Sequence, residues 1–236
     1  MQMMKKIWIT TTALLASSAA YAGGADDPTL FSLRLDKLEV RMTDSGSNPK
    51  AWDGQAWLGG DLNKLWLKSE GEYRDGTTEK AQLQTLYSRA ISPFWDAQVG
   101  WRHDFRPNPT RDWLAIGLQG LAPYFFEVET TLFARSAEDV SLRLKAEYEL
   151  LFTQKLILSP EIEANFYSKN DEKAGHGSGL STLEAGLRLR YEIRREFAPY
   201  IGVNWDGKFG NTGDYAKDEN ESRKDLQFVV GIRAWF

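Results

Sequence analysis

From Leu65 to Tyr73 the chain keeps a strict period of two. Leu65, Leu67, Ser69, Gly71 and Tyr73 share one parity, and Lys64, Trp66, Lys68, Glu70, Glu72 and Arg74 the other. The stretch Asp225–Phe236 does much the same, with Leu226, Phe228, Val230, Ile232, Ala234 and Phe236 set against a mostly polar face of Asp225, Gln227, Gly231 and Arg233, joined by Val229 and Trp235. A period of two with one apolar and one polar face predicts β-strands, each half in an apolar and half in a polar environment. Phe236, an aromatic last residue on the apolar parity, fits a strand that closes against the first one in a membrane barrel, where no edge can stay open.

The period recurs along nearly the whole chain. Ala81, Leu83, Thr85 and Tyr87 oppose Lys80, Gln82 and Gln84, and Trp95, Ala97, Val99 and Trp101 oppose Asp96, Gln98, Arg102 and Asp104. Leu114, Ile116 and Leu118 oppose the small or neutral Ala115, Gly117 and Gln119, while Phe126, Val128, Thr130 and Leu132 oppose Glu127 and Glu129. Leu142, Leu144 and Ala146 face away from Arg143, Lys145 and Glu147; Ile162, Ala164 and Phe166 face away from Glu161, Glu163 and Asn165. Leu187, Leu189 and Tyr191 then alternate with Arg188, Arg190 and Glu192, and Ile201, Val203 and Trp205 with Asn204, Asp206 and Lys208. Near the start, Phe31, Leu33 and Leu35 are followed by Leu38, Val40 and Met42, a one-residue slip that predicts a β-bulge at Asp36-Lys37. Pro160 lies inside the ninth run and weakens its pairing, because proline cannot donate to the ladder.

With a shorter second run around Trp52–Leu58, the reading is an all-β fold: a closed antiparallel transmembrane β-barrel of 12 strands over residues 31–236. The longer connections, including the polar stretches Lys169–Gly179 and Gly210–Ser222, then fall at one end and the short turns at the other. That division is expected of an outer-membrane barrel with a periplasmic N-terminus. A soluble sandwich is disfavoured, because the polar faces are too densely charged to bury against a second sheet.

The N-terminus agrees. Lys5 and Lys6, an apolar run from Ile7 to about Ala20, and Ala20-Tyr21-Ala22 predict a secretory signal peptide over residues 1–22, followed by a short periplasmic linker over 23–30. Loss of those two lysines takes the formal charge from −4 to −6, an acidic balance that argues against nucleic acid as a partner. Mean hydropathy is −0.46, as expected when only alternate residues meet lipid. The absence of cysteine excludes a disulfide framework and thiol chemistry.

The polar parity carries the candidate chemistry. Glu127, Glu129, Glu147, Glu149, Glu161 and Glu163 fall on three consecutive strands and form the densest local set of carboxylates. Two readings apply: interleaved Arg and Lys make a salt-bridge ladder that fills and stiffens the lumen, or the carboxylates line a path for a cation. Imidazole and thioether ligands come only from His103, His176 and Met42 in the mature chain. His103 sits at a strand end on the lipid-facing parity, His176 in a polar loop, and Met42 at the close of the first strand; each is a candidate for a weak, exposed metal contact. Ser88 and His103 lie on neighbouring strands, but at levels that do not match, and no nucleophile or phosphate-loop motif is present, so catalysis is not expected.

Longer runs carry a family resemblance. Trp57-Leu58-Gly59-Gly60-Asp61-Leu62-Asn63-Lys64-Leu65-Trp66-Leu67-Lys68-Ser69-Glu70-Gly71-Glu72, Gly100-Trp101-Arg102-His103-Asp104, Gly117-Leu118-Gln119-Gly120-Leu121-Ala122-Pro123-Tyr124 and Leu187-Arg188-Leu189-Arg190-Tyr191-Glu192-Ile193-Arg194-Arg195-Glu196-Phe197-Ala198-Pro199-Tyr200 resemble the copper resistance protein B family. The resemblance covers essentially everything after residue 30. It implies an outer-membrane barrel involved in copper resistance and copper homeostasis, with copper ion as a transient or transported species rather than a tightly held one. It also implies outer-membrane lipid and a periplasmic copper-binding protein as partners; a monomer is expected. Family members usually carry a Met- and His-rich N-terminal region, and Gly23–Thr29 contains neither residue type. The expected function is therefore copper binding or conduction through a carboxylate-lined barrel. The alternatives are a closed barrel that anchors periplasmic copper-binding components, or a small nonselective porin.

Overall fold

The computed structural model describes residues 28–43, 48–219 and 221–236. The expected signal peptide and most of the linker lie outside these residues. The described chain runs β1 (Leu30–Met42), β2 (Lys50–Gly59), β3 (Asn63–Arg74), β4 (Thr77–Ser92), β5 (Trp95–Arg106), β6 (Arg111–Ala122) and β7 (Phe126–Ala134). It continues through β8 (Val140–Glu147), β9 (Leu150–Leu151), β10 (Leu156–Tyr167), β11 (Gly179–Tyr191), β12 (Phe197–Lys208), helix α1 (Gly210–Asp218) and β13 (Lys224–Trp235).

Apart from β8 and β9, which do not pair with each other, each strand pairs antiparallel with its sequence neighbours, and β13 returns to β1 with Arg34 opposite Trp235 and Met42 opposite Phe228. Backbone bonds between Leu33 and Phe236, at 2.9 and 2.8 Å, carry this seam to the last residue. The sheet therefore has no open edge. Segments β8 and β9 both pair with β10 and make one crossing, so the closed barrel has twelve strands.

The break between β8 and β9, at Tyr148-Glu149, has a local cause in β10. Tyr148 N donates to Pro160 O at 3.0 Å, but Pro160 has no N–H to return the bond. Strand β10 passes through the proline intact; its partner is what gives way. The expected bulge is also present, as β1 shifts register between Leu35 and Lys37 against β2 and between Leu35 and Leu38 against β13. Its consequence is that both Asp36 and Lys37 enter the lumen, where each meets lumenal side chains.

The outward parity is apolar, as the alternation requires. Leu65, Leu67, Val99, Ile116, Leu132, Ile162, Leu187, Ile201 and Phe228 are all exposed on this surface. Among the described residues, no helix is long and apolar enough to cross a membrane.

The connections alternate between a terminal end, where Leu30 and Trp235 lie, and a loop end. One expectation is corrected here: Gly210–Ser222 is not simply a polar loop, since Gly210–Asp218 is helical and buries Thr212, Gly213 and Ala216. Gly, Asn, Thr and Asp are poor helix formers, so tertiary contacts hold this turn of chain. Thr212 Oγ1 accepts from Gly177 N at 2.7 Å and shares a 2.8 Å hydrogen bond with Ser181. Helix α1 is thereby tied to the other long connection and to the first turn of β11.

Candidate functional site: the lumen and its ion pairs

Alternation sends the second parity of every strand inward, and the two halves of the resulting lumen wall differ. On one side, Trp66, Leu86, Trp113, Ala115, Phe133 and Tyr167 pack into an apolar cluster inside the barrel. Near it lie the buried, uncharged Gln84, Ser88, Gln98 and Thr131. The Arg102 and Arg143 guanidiniums stand 4.7 and 5.6 Å from the Phe133 ring centroid, a cation–π arrangement that joins the apolar wall to the charged one.

The other side is almost entirely ionic. Arg188 grips Glu39 with two hydrogen bonds of 2.9 Å, and Arg41 and Tyr200 add one each of the same length. Gly231 leaves the room for Tyr200, since a Cβ there would lie 2.6 Å from the ring. Glu161 takes three cations: Lys37 at 2.7 Å, Arg188 at 3.1 Å and Lys145 at 3.3 Å. Lys145 also reaches Asp53 at 3.1 Å, and Arg143 reaches Glu70 at 3.1 Å. These last two pairs run from β8 to β2 and β3, which lie on opposite sides of a twelve-strand ring. Ion pairs that span the barrel leave no wide opening at their level.

Two of the cavities among the described residues share no lining residue. The one towards the terminal end, about 340 Å³, is lined by Arg34, Glu127, Glu149, Arg190, Glu192 and Arg233 among others. The one towards the loop end, about 490 Å³, includes Lys37, Asp53, Glu70, Arg143, Glu184, Asp206, His176 and residues of α1. Between them lie Asp36, Glu39, Lys145, Glu147, Glu161 and Arg188.

The six carboxylates singled out from the sequence do share one stretch of wall. Glu127, Glu147 and Glu161 stand in register across β7, β8 and β10, and Glu129 and Glu163 flank Lys145 in the next row. Cations are interleaved throughout. Glu129 meets Lys68 at 2.7 Å, Glu149 meets Arg190 at 2.6 Å, Glu147 meets Arg233 at 3.5 Å and Glu163 meets Arg143 at 3.5 Å. Among the described residues, no group of three or more His, Cys, Asp and Glu side chains is placed to hold a metal ion.

Neither histidine joins these carboxylates in a metal-holding group among the described residues, although His176 and Glu163 line the same cavity. Met42 is exposed on the outward parity of β1. His103 also faces outward, with Nδ1 2.5 Å from Asp112 Oδ1, a carboxylate that accepts from Trp101 Nε1 as well. The neighbouring Asp104 points the other way, into the lumen, where it binds Arg102 and Trp113. Ser88 is buried inside and donates to Asp96, so it and His103 stand on opposite faces and form no catalytic pair.

His176 is drawn into the barrel mouth, where its ring stacks on Tyr167 at 4.2 Å and 12°. Its loop is pinned by Arg111, which forms a two-pronged pair with Asp171 at 2.9 and 3.0 Å. Burial, reinforced by the charges of Lys80, Arg102 and Arg111, pushes His176 down to about 3. Burial raises the Asp171 carboxyl, but the Arg111 bonds and charge outweigh this and hold it below its ordinary range.

The sequence reading missed Lys37, Glu39, Asp53, Lys68 and Glu184 as partners of the carboxylate set. The signal was available for Lys37 and Glu39, because the bulge puts them on the parity opposite Leu38, Val40 and Met42.

Comparison with known proteins agrees with the resemblance read from the sequence. A family model described as copper resistance protein B precursor (CopB) matches residues 29–236. Copper resistance protein B of Escherichia coli is 50% identical over 206 residues, covering 87% of this chain and 69% of that protein. The copper resistance protein B homolog of Pseudomonas syringae pv. tomato (strain ATCC BAA-871 / DC3000) is 49% identical over 201 residues, covering 85% and 68%. Among solved structures, the NanC porin aligns with a TM-score of 0.55 at 13% identity, covering 87% of this chain and 99% of that one, a likeness of fold alone. A closed twelve-strand barrel, an ion-paired lumen and these matches lead to one assignment: the chain is an outer-membrane β-barrel that belongs to the copper resistance protein B family.

Proposed function

We propose that this barrel serves copper resistance as a gated conduit, with copper ions as its cargo. They move through the lumen in transient contact with Glu127, Glu129, Glu147, Glu149, Glu161 and Glu163. The observation that carries this reading is the pairing of the carboxylates with lumenal Lys and Arg side chains of the wall. Five of the six sit within ion-pair distance of a lumenal Lys or Arg, which an arriving cation can replace. Hard oxygen ligands and short-lived contacts suit a cupric ion in passage better than a tight cuprous site. His176, at the loop-end cavity, adds one imidazole near the mouth; His103 with Asp112, and Met42, offer weak contacts on the outer surface.

In this reading the terminal end lies in the periplasm and the loop end outside, and the barrel works as a monomer. A periplasmic copper-binding protein would exchange metal at the terminal-end cavity. The packed lumen between the cavities favours a second reading, in which the barrel stays closed and anchors such a protein at the membrane.

Replacement of all six glutamates by glutamine separates the two. The conduit reading expects the copper-dependent growth phenotype to disappear while the barrel still reaches the outer membrane in normal amount. An unchanged phenotype at normal surface level contradicts it.

A further inference from the structure

The divide between the two cavities falls on the bulge of β1. Arg34, just before it, lines the terminal-end cavity, and Lys37, just after it, lines the loop-end cavity. Asp36, between them, is held by Gln55 at 2.5 Å and Arg233 at 3.4 Å. A regular strand would send Lys37 out to lipid; the extra residue turns it inward, onto Glu161.

Three cations meet Glu161, and they are not equivalent. Arg188 is also held by Glu39, and Lys145 also by Asp53. Lys37 has Glu161 alone within ion-pair distance among the described residues. Lysine is a point charge on a flexible stem, without the two-pronged geometry that fixes Arg188. Of the contacts that close the middle of the lumen, this one opens with the least rearrangement. Its removal leaves Glu161 with Arg188 and Lys145, both shared with other carboxylates, and with Glu147 as its partner in register across β8 and β10.

We propose that Lys37 is a tethered counter-ion that occupies the central cation position of the lumen, and that its ion pair with Glu161 sets both the conductance and the charge selectivity of the barrel. A mobile cation passes only by taking the place of the Lys37 ammonium on the Glu161 carboxylate. The inference rests on the conduit reading for its biological use, but it concerns ions in general and does not depend on copper.

The test uses the purified barrel in planar bilayers under a potassium chloride gradient, without copper. Lys37→Gln is expected to raise single-channel conductance several-fold and to move the reversal potential towards that of potassium. Lys37→Arg is expected to stay close to the parent protein, and Glu161→Gln to move the reversal potential towards that of chloride, since three cations then lose their shared carboxylate. Barrel integrity is checked for each variant by heat-modifiable gel mobility. If folded Lys37→Gln keeps the parent conductance and reversal potential, or if neither conducts, the inference is overturned. Failure of the copper reading has a different signature: the potassium chloride results stand, but cupric ion passes no better than magnesium.

Discussion

The two halves of the lumen wall close the barrel by different physics. The wall around Leu86, Trp113 and Phe133 is packed with apolar side chains, and dispersion and burial hold it. The wall built on β1, β8, β10, β11 and β13 is held by charges whose partners come from strands that are not its neighbours. A packed wall is insensitive to salt and cannot yield to an ion. A wall of ion pairs can exchange one partner for another at small cost, provided every charge finds a replacement. The contrast makes the neutral wall a scaffold, and under the proposed function the charged wall is where a cation would act.

The contrast is tested hardest by removing its apolar half. Phe133 is fully buried and lies under two guanidiniums, so Phe133→Ala is expected to lower barrel stability by about 3–5 kcal/mol, read as a shift in the denaturant midpoint of the refolded barrel in micelles. The loss should be the same at low and high salt.

On the charged wall, Glu39→Ala strips Arg188 and Arg41 of their common carboxylate and is expected to cost about 3 kcal/mol. Replacing both partners, as Glu39→Leu with Arg188→Met, should recover most of that loss. If the double replacement is as damaging as the single one, the wall is not held by exchangeable pairs.

A smaller effect concerns the loop that carries His176. Its folded value lies near 3 against an ordinary 6.5, so docking of the loop favours the neutral ring. That contribution is complete above about pH 6.5 and is lost as pH falls towards 3, because the undocked loop takes up the proton first. The Asp171 carboxyl, held below its ordinary range, acts in the same direction at the acidic end. Hydrogen-exchange protection of residues 171–177, corrected for the intrinsic pH dependence of exchange, should therefore fall on acidification while that of the strands does not, and His176→Gln should flatten the response between pH 6.5 and 4.

The smallest effect is at the break in the eighth crossing. Pro160→Ala restores a donor opposite Tyr148 and should stabilise by no more than about 1 kcal/mol, with slower exchange at the β8–β9 junction.

The limits of the sequence reading follow from the range of each interaction. The strands, the bulge at Asp36-Lys37 and the inward parity of the glutamates were legible, because period two is a local property of the chain. The weakness at Pro160 was legible too, although it surfaced in the partner strand. Helix α1 was not, since its residues have poor propensity and gain their structure from Gly177 and Ser181. Nor were the partners of the carboxylates: Lys145 and Asp53 are 92 residues apart, and Lys37 and Glu161 are 124 apart. Parity places a charge in the lumen, but only the closure and stagger of the ring decide which charge it meets. The apolar cluster is hidden in the sequence for the same reason, because Trp113 and Phe133 share the parity of charged residues.

The proposed function turns on the passage of copper ions along the charged wall. Its most direct test is flux through the purified barrel in liposomes, comparing cupric ion with magnesium and a small neutral solute. Faster passage of cupric ion than of the other two, lost on replacing the six glutamates, is the predicted result. No flux through a folded barrel, or equal flux of all three, would contradict it.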